Sequence, residues 1–330
     1  MRLGVPLAAA ALALAACGGQ RAPRAVPGAE WRTASPVSVG LDAALLRRAD
    51  AIIRSRLPGV NGFLVARRDR LVFERYYNGA TRSQPQSVMS MTKPVVSTLV
   101  GIAIGEGRLR SVDERIEQIF PGRVEGAARR ITLRDLLTMT AGYCCTPSAA
   151  DPDDPVGARL ARPVESEPGT QFSSDSPSSD LLADAIGVAS GAPADVYARR
   201  RLFGPLGIRD FDWPRDRAGN SYGASGLRLR PRDLLAIGRL YLHGGRWHGR
   251  QIVPKAWVRE ARRAHARVTS RLSFGYDWWI LSPPFFGYAA LGAGGQALFV
   301  FPRLDLLVLV TGAAEKSPLP LARLVLRAAA

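Results

Sequence analysis

The runs of β-branched and aromatic residues in this chain lie near its two ends. Turn-rich helical pattern occupies most of the space between them, and that placement limits the fold more than any other feature. Near the start, residues 62–67 and 71–77 read as two strands joined by the polar Arg68-Asp69-Arg70, a hairpin signal. Near the end, residues 288–291, 297–301 and 306–310 are short apolar strands, the last two flanking Pro302-Arg303-Leu304-Asp305. Leu41, Leu45, Leu46, Ala49, Ile52 and Ile53 recur at helical spacing, and further helices are expected over 98–104, 131–139, 180–189, 194–203, 232–242, 253–266 and from about Pro318. Thr132 is the expected N-cap of the helix over 131–139. The pattern predicts an α+β fold, an antiparallel sheet flanked by helices and split by a mostly helical insertion. On this reading an α/β lobe draws on about 36–110 and 226–330, and a helical lobe on about 111–225.

The N-terminus reads as an address. Met1-Arg2 is a minimal positive start, and Val5 to Ala16 is an apolar run too short to span a bilayer. It ends in Leu14-Ala15-Ala16-Cys17, which resembles a bacterial lipobox; the other reading is an ordinary signal peptide with a chance cysteine. The lipobox implies a leader over 1–17, lipidation at Cys17, a Gly/Pro/Ala/Arg tether over 18–35 and a domain over 36–330. It also implies an extracytoplasmic protein anchored to a bacterial membrane, on the periplasmic face in a Gram-negative cell. The remaining cysteines, Cys144-Cys145, are adjacent and have no Cys or His at metal-ligand spacing.

The formal net charge is +17, with arginines scattered along the chain. No zinc-finger, basic-helix or phosphate-loop pattern accompanies that charge, so nucleic acid is not an expected partner. No metal set is visible, and the chemistry below calls for no cofactor.

Only Lys93, Lys255 and Lys316 among the 45 basic residues are lysine. Arginine keeps its charge at any physiological pH, whereas lysine can be tuned to give up a proton. Lys93 closes Ser90-Met91-Thr92-Lys93. At a helix start, positions i and i+3 share a face, which sets an ammonium beside a hydroxyl. A serine nucleophile with a lysine partner uses that geometry. Pro94 fits the first turn of such a helix. The three histidines, His243, His248 and His265, lie in polar, arginine-rich sequence, and no Gly-x-Ser-x-Gly elbow offers a histidine-based triad.

Other segments recur in order around Ser90. They include Ile119-Phe120-Pro121-Gly122, Leu133-Arg134-Asp135-Leu136-Leu137-Thr138-Met139-Thr140, Pro168-Gly169-Thr170-Gln171-Phe172, Leu202-Phe203-Gly204-Pro205-Leu206-Gly207 and Gly292-Ala293-Gly294-Gly295-Gln296. Together they resemble the serine β-lactamase and penicillin-binding-protein superfamily, nearest its class C-like branch with the family VIII esterases and the 6-aminohexanoate-dimer-type hydrolases. The resemblance implies a β-lactamase/transpeptidase-like fold and acyl transfer through Ser90, with Lys93 as base partner. It implies an oxyanion hole from the backbone N–H groups of Ser90 and Gln296, and a small ester or amide as substrate. Ser176, Gly294, Gly295 and Trp278 are the expected substrate-binding positions.

Two departures from the family pattern bear on function. The branch carries a tyrosine where this chain has Ser174-Asp175-Ser176, so Ser174 either relays the proton or is a polar loop residue without that duty. Tyr143 and Tyr222 are candidate substitutes. The Lys-Thr-Gly element reads Ala293-Gly294-Gly295, without the cation that greets a substrate carboxylate, which favours neutral esters or amides. The alternative function is a non-hydrolytic, penicillin-recognising or cell-envelope binding lipoprotein with a degenerate site.

Overall fold

The computed structural model describes residues 1, 31–143, 153–313 and 317–329. Cys17 and the leader beyond Met1, most of the tether, Cys144-Cys145 and Lys316 lie outside the described residues.

Eight antiparallel strands form the main sheet: β1 (Val60–Arg67), β2 (Arg70–Tyr76), β3 (Ala266–Arg267), β4 (Leu272–Phe274), β5 (Trp279–Leu281), β6 (Gly287–Gly292), β7 (Gln296–Phe301) and β8 (Leu306–Gly312). Their order is β2-β1-β8-β7-β6-β5-β4-β3, so the two ends of the chain meet where β1 pairs with β8. Phe63 stands opposite Val310 and Arg67 opposite Leu306. The β1–β2 turn places Arg68 and Asp69 at φ 50° and 59°, the primed-turn geometry that suits the twist of a tight hairpin.

Seven helices matter to the site: α1 (Ala43–Arg56), α2 (Thr92–Gly105), α3 (Leu133–Leu137), α4 (Pro177–Ser190), α5 (Pro231–Leu242), α6 (Lys255–Ala261) and α7 (Leu319–Ala328). Strand alternation divides the core in two. Phe63, Val65, Phe299, Val308 and Val310 face α1 and α7, while Leu64, Ala66, Leu298, Leu307 and Leu309 face α2, α5 and the helical region. Fully burying each such side chain stabilises the fold by about 1.5–3 kcal/mol. Helix α2 is apolar nearly all round and is buried from Thr92 to Ala103. It is therefore the central helix, and its N-terminus sets the position of Ser90.

The expected hairpins and most helices are present, with three differences. The helix over 253–266 ends at Ala261, and the chain then forms β3. Strands β3, β4 and β5 extend the sheet beyond the C-terminal hairpins. The helix over 194–203 is α-helical only through Ala198 and continues as a π-turn from Arg199 to Phe203. None of the described helices is long and apolar enough to cross a membrane.

Candidate active site

The approach to Ser90 is fixed from two sides. Gln86–Ser87 pairs with Arg228–Leu229 in a small second sheet, and the Val88 N–H donates to the Leu227 carbonyl at 3.0 Å. On the other side the Thr311 hydroxyl of β8 donates to Gln86 Oε1 at 2.7 Å. Between these anchors Met89 takes φ 47° and opens a 3₁₀ turn, Met89–Met91, that runs directly into α2. A non-glycine residue in this conformation carries a local strain cost of about 1–3 kcal/mol, which the surrounding contacts must offset.

Ser90 and Lys93 line one cleft of about 150 Å³ together with Pro94, Ser174, Phe274, Asp277, Trp279, Leu291, Gly292 and Ala293. The cleft thus brings together the α2 turn, the loop ahead of α4, the β4–β5 hairpin and the end of β6. Lys93 is buried, and its ammonium donates to the Asp175 carbonyl at 2.8 Å. That bond ties α2 to the Ser174 loop. The Asp175 carboxylate accepts from the Ser178 N–H at 2.6 Å and the Ser178 hydroxyl at 2.9 Å, closing the start of α4. Burial raises the Asp175 carboxyl above its ordinary range, opposed by those two Ser178 donors.

The α4 end of the loop is anchored by charge. Asp180 accepts from the N–H groups of Gly223 and Ala224 at 2.7 and 2.9 Å. Behind it, Arg159 is buried and donates to both oxygens of Asp184 at 3.0 and 2.8 Å and to Asp216 at 2.9 Å. Burial and the neighbouring Asp180 and Asp216 carboxylates push Asp184 up to about 7 despite Arg159.

Several expected site residues lie elsewhere. Trp278 is fully buried in the core, 4.6 Å from the Tyr241 ring and 5.2 Å edge-on to Tyr288, so it cannot meet a substrate. Strand alternation turns Trp279 to the cleft instead, 5.0 Å from Phe274 and 5.8 Å from Phe172. Gln296 opens β7 opposite Gly292 and, with Gly294, lines a neighbouring groove beside Asn61, Asn78 and Gln86. Gly295 lies in the hairpin turn and lines neither. Ala293, which follows Gly292 into the hairpin turn, lines the cleft, whereas Gln296 across the turn does not. Among the described residues, no turn or loop carbonyl accepts from the Ser90 or the Ala293 N–H. Ser176 is exposed at the start of α4 and does not line the cleft, whereas Ser174 does. Tyr143 and Tyr222 also stay out of it; Tyr143 is buried, and burial raises its hydroxyl, with the Asp175 charge adding to the effect.

Asp277 is a titratable cleft residue to which the sequence reading gave no role, although it lies in the stretch Tyr276-Asp277-Trp278-Trp279 that reads as possible cleft lining. It is 2% exposed, and neither carboxylate oxygen has a hydrogen-bond partner among the described residues. Burial pushes its carboxyl well above the usual carboxylate range, against the pull of the Lys93 ammonium and with Asp175 adding to the push. The available signal was an acidic residue set inside the aromatic run Tyr276–Trp279.

A turn that sets a serine at the head of a central helix, beside the end of an internal strand of an antiparallel sheet, is the arrangement of the β-lactamase/transpeptidase-like fold. Residues 43–330 match the Beta-lactamase family, and the chain belongs to it. Among characterised relatives it is similar to the 6-aminohexanoate-dimer hydrolase of Paenarthrobacter ureafaciens, 26% identical over 306 residues, covering 82% of this chain and 77% of that one. Its fold is similar to that of a family VIII carboxylesterase, with TM-score 0.74, 14% identity and coverage of 91% and 99% of the two chains. A β-lactamase/D-alanine carboxypeptidase from Pseudomonas syringae superposes with TM-score 0.70 at 15% identity, covering 86% of this chain and 98% of that one.

Proposed function

We propose that this chain, a hydrolase of the β-lactamase family, cleaves a small neutral ester or amide through a Ser90 acyl-enzyme. The observation that carries the reading is the shared cleft of Ser90 and Lys93, with Ala293 on its wall. Ser90 Oγ attacks the substrate carbonyl carbon while its proton leaves by way of Lys93. The developing oxyanion accepts from the Ser90 and Ala293 N–H groups, and each preorganised donor of this kind contributes about 3–4 kcal/mol. Collapse expels the alcohol or amine with a proton returned to it. Water then attacks the acyl-Ser90 carbonyl and releases the acid. Ser174, at the cleft wall, stands where a relay to the leaving group would act.

Charge and surface favour a neutral substrate. Of the side chains that line the cleft, Lys93 alone is cationic, and its ammonium is held by Asp175. Phe274, Trp279 and Leu291 supply an apolar wall. The names of the 6-aminohexanoate-dimer hydrolase and of the carboxylesterase with a similar fold support a small hydrolysable substrate. We also place the protein outside the cytoplasm, anchored through a lipid on Cys17; mass spectrometry of the N-terminal peptide from membranes would reveal the diacylglyceryl cysteine or its absence.

Intact-mass labelling with a fluorophosphonate, alongside p-nitrophenyl ester turnover, tests the hydrolase. Labelling and turnover that vanish in Ser90→Ala, with turnover lost in Lys93→Ala, is the expected result. A wild-type chain that neither labels nor turns over would sink the reading and favour a binding protein.

A further inference from the structure

Asp277 is expensive where it stands. A buried carboxylate without hydrogen-bond partners costs several kcal/mol if ionised, by the usual magnitude of such desolvation. Its backbone does not demand an aspartate: at φ 60°, glycine or asparagine would serve as well. The position is also rigid. The Asp277 N–H donates to the Leu137 carbonyl of α3 at 2.9 Å, and the Gly275 N–H closes the same turn on the Trp278 carbonyl at 2.8 Å. What the carboxyl gains there is a place on the wall of the Ser90 cleft.

Two charged groups act on Asp277, Lys93 of α2 and Asp175 of the loop ahead of α4, while the buried Tyr241 hydroxyl of α5 feels the Asp277 charge in turn. Lys93 is the one cation among them. Lys93 already spends one N–H on the Asp175 carbonyl, which leaves two donors for Ser90 and the cleft. Ser174, in the position of the family's tyrosine, has a hydroxyl that does not ionise in the working pH range. The cleft therefore contains one acid able to take up and release a proton beside Lys93.

We propose that Asp277 is the proton store of the reaction, acting through Lys93 rather than on the substrate. This rests on the Ser90 acyl-enzyme reading. As the bond from Ser90 Oγ to the substrate carbonyl carbon forms, the Oγ proton passes to Lys93, whose Nζ turns from the Asp175 carbonyl to the unpartnered Asp277 carboxylate and gives a proton up to it. The ammonium is thus unchanged, Asp277 becomes the neutral acid, and the negative charge moves to the substrate oxygen. When the carbon–leaving-group bond breaks, the proton returns from Asp277 through Lys93 to the departing oxygen or nitrogen. Deacylation repeats the cycle with water as the proton source. No charge leaves the cleft at any step.

The test uses the full chain and three readouts: fluorophosphonate labelling of Ser90, the dependence of p-nitrophenyl ester turnover on pH, and rescue by added carboxylate. Asp277→Asn and Asp277→Gly both suit the backbone at this position and keep the fold measurable by circular dichroism. For the wild type, turnover falls on the acid side with a midpoint above the ordinary carboxylate range. In Asp277→Asn, kcat falls by about 10²-fold or more and the acid-side fall disappears. In Asp277→Gly, formate or acetate restores turnover, which a merely structural role would not permit. An Asn variant that keeps kcat within about threefold, or keeps the acid-side midpoint, overturns the proposal and leaves the Ser90 reading intact. A wild-type chain without labelling or turnover overturns both.

Discussion

Gly292 ends β6 so close to Val88 that a side chain there would set its Cβ 3.0 Å from the Val88 carbonyl oxygen. The Met89 Cβ would lie 3.3 Å away. The strand edge and the segment leading into Ser90 therefore meet backbone to backbone. Gly292→Ala is expected to push the Ala293 N–H and the Ser90 turn apart by a few tenths of an ångström. On the scale by which small misplacements reduce rates, kcat falls about tenfold while the melting temperature barely moves. Steady-state kinetics beside a thermal scan check both parts.

Lys93→Arg separates charge from proton transfer. Arginine keeps the positive charge but does not release a proton, and its planar fork does not match the single bond to the Asp175 carbonyl. Turnover is expected to fall at least about 10²-fold, as for loss of a general base. Labelling by fluorophosphonate slows in parallel, and the far-ultraviolet circular dichroism is unchanged.

Trp278 and Trp279 are neighbours with opposite duties. Trp278→Ala empties a fully buried site between Tyr241 and Tyr288, and costs about 3–5 kcal/mol of stability as core tryptophan truncations do. Trp279→Ala removes cleft wall and is expected to raise KM for aromatic esters, with a smaller loss in denaturant midpoint. Urea unfolding and ester kinetics on the pair would show the crossed pattern.

The Arg159 cluster gives the fold a signature in pH. The Asp184 carboxyl is raised from 3.8 to about 7, so it releases its proton more readily in the unfolded chain than in the native one. Its contribution to stability is therefore full below about 3.8 and is lost as pH rises through about 7. Asp184→Asn should flatten that decline in a series of thermal scans. Arg159→Met, which strands Asp184 and Asp216 without their cation, is expected to cost about 3–5 kcal/mol at neutral pH.

The same sign governs Asp277. Its raised carboxyl destabilises the native state increasingly as pH climbs above the ordinary carboxylate range. Asp277→Asn should melt higher than the wild type at pH 8, by an amount on the order of 1–3 kcal/mol in stability, with the gap closing near pH 4. A variant at once more stable and less active would mark a residue retained for chemistry.

Sequence pattern was enough where elements are long. The unbroken apolar runs of β1 and β8 and the all-round apolar α2 are legible because each stays apolar for four or more consecutive residues. Strands of two or three residues, such as Ala266–Arg267 and Leu272–Phe274, carry no period to read. The same limit explains the exchange of Trp278 for Trp279, since facing depends on a register that only the pairing of Trp279 with Phe274 and Ala289 supplies. Gly292, Gly294 and Gly295 each suit a turn, so sequence could not fix where the hairpin bends, and with it which turn residue lines the cleft. Ser90 and Lys93 were legible because an i, i+3 pair on one helix needs no tertiary information.

The pairing of β1 with β8 joins segments more than two hundred residues apart, and the strand edge beside Ser90 is made only near the end of synthesis. A chain emerging from its N-terminus holds the serine and the lysine long before Ala293 exists. Every unfinished or C-terminally clipped copy would therefore be chemically silent, and hydrolysis, in the reading proposed, would report that the last strand has been delivered and docked.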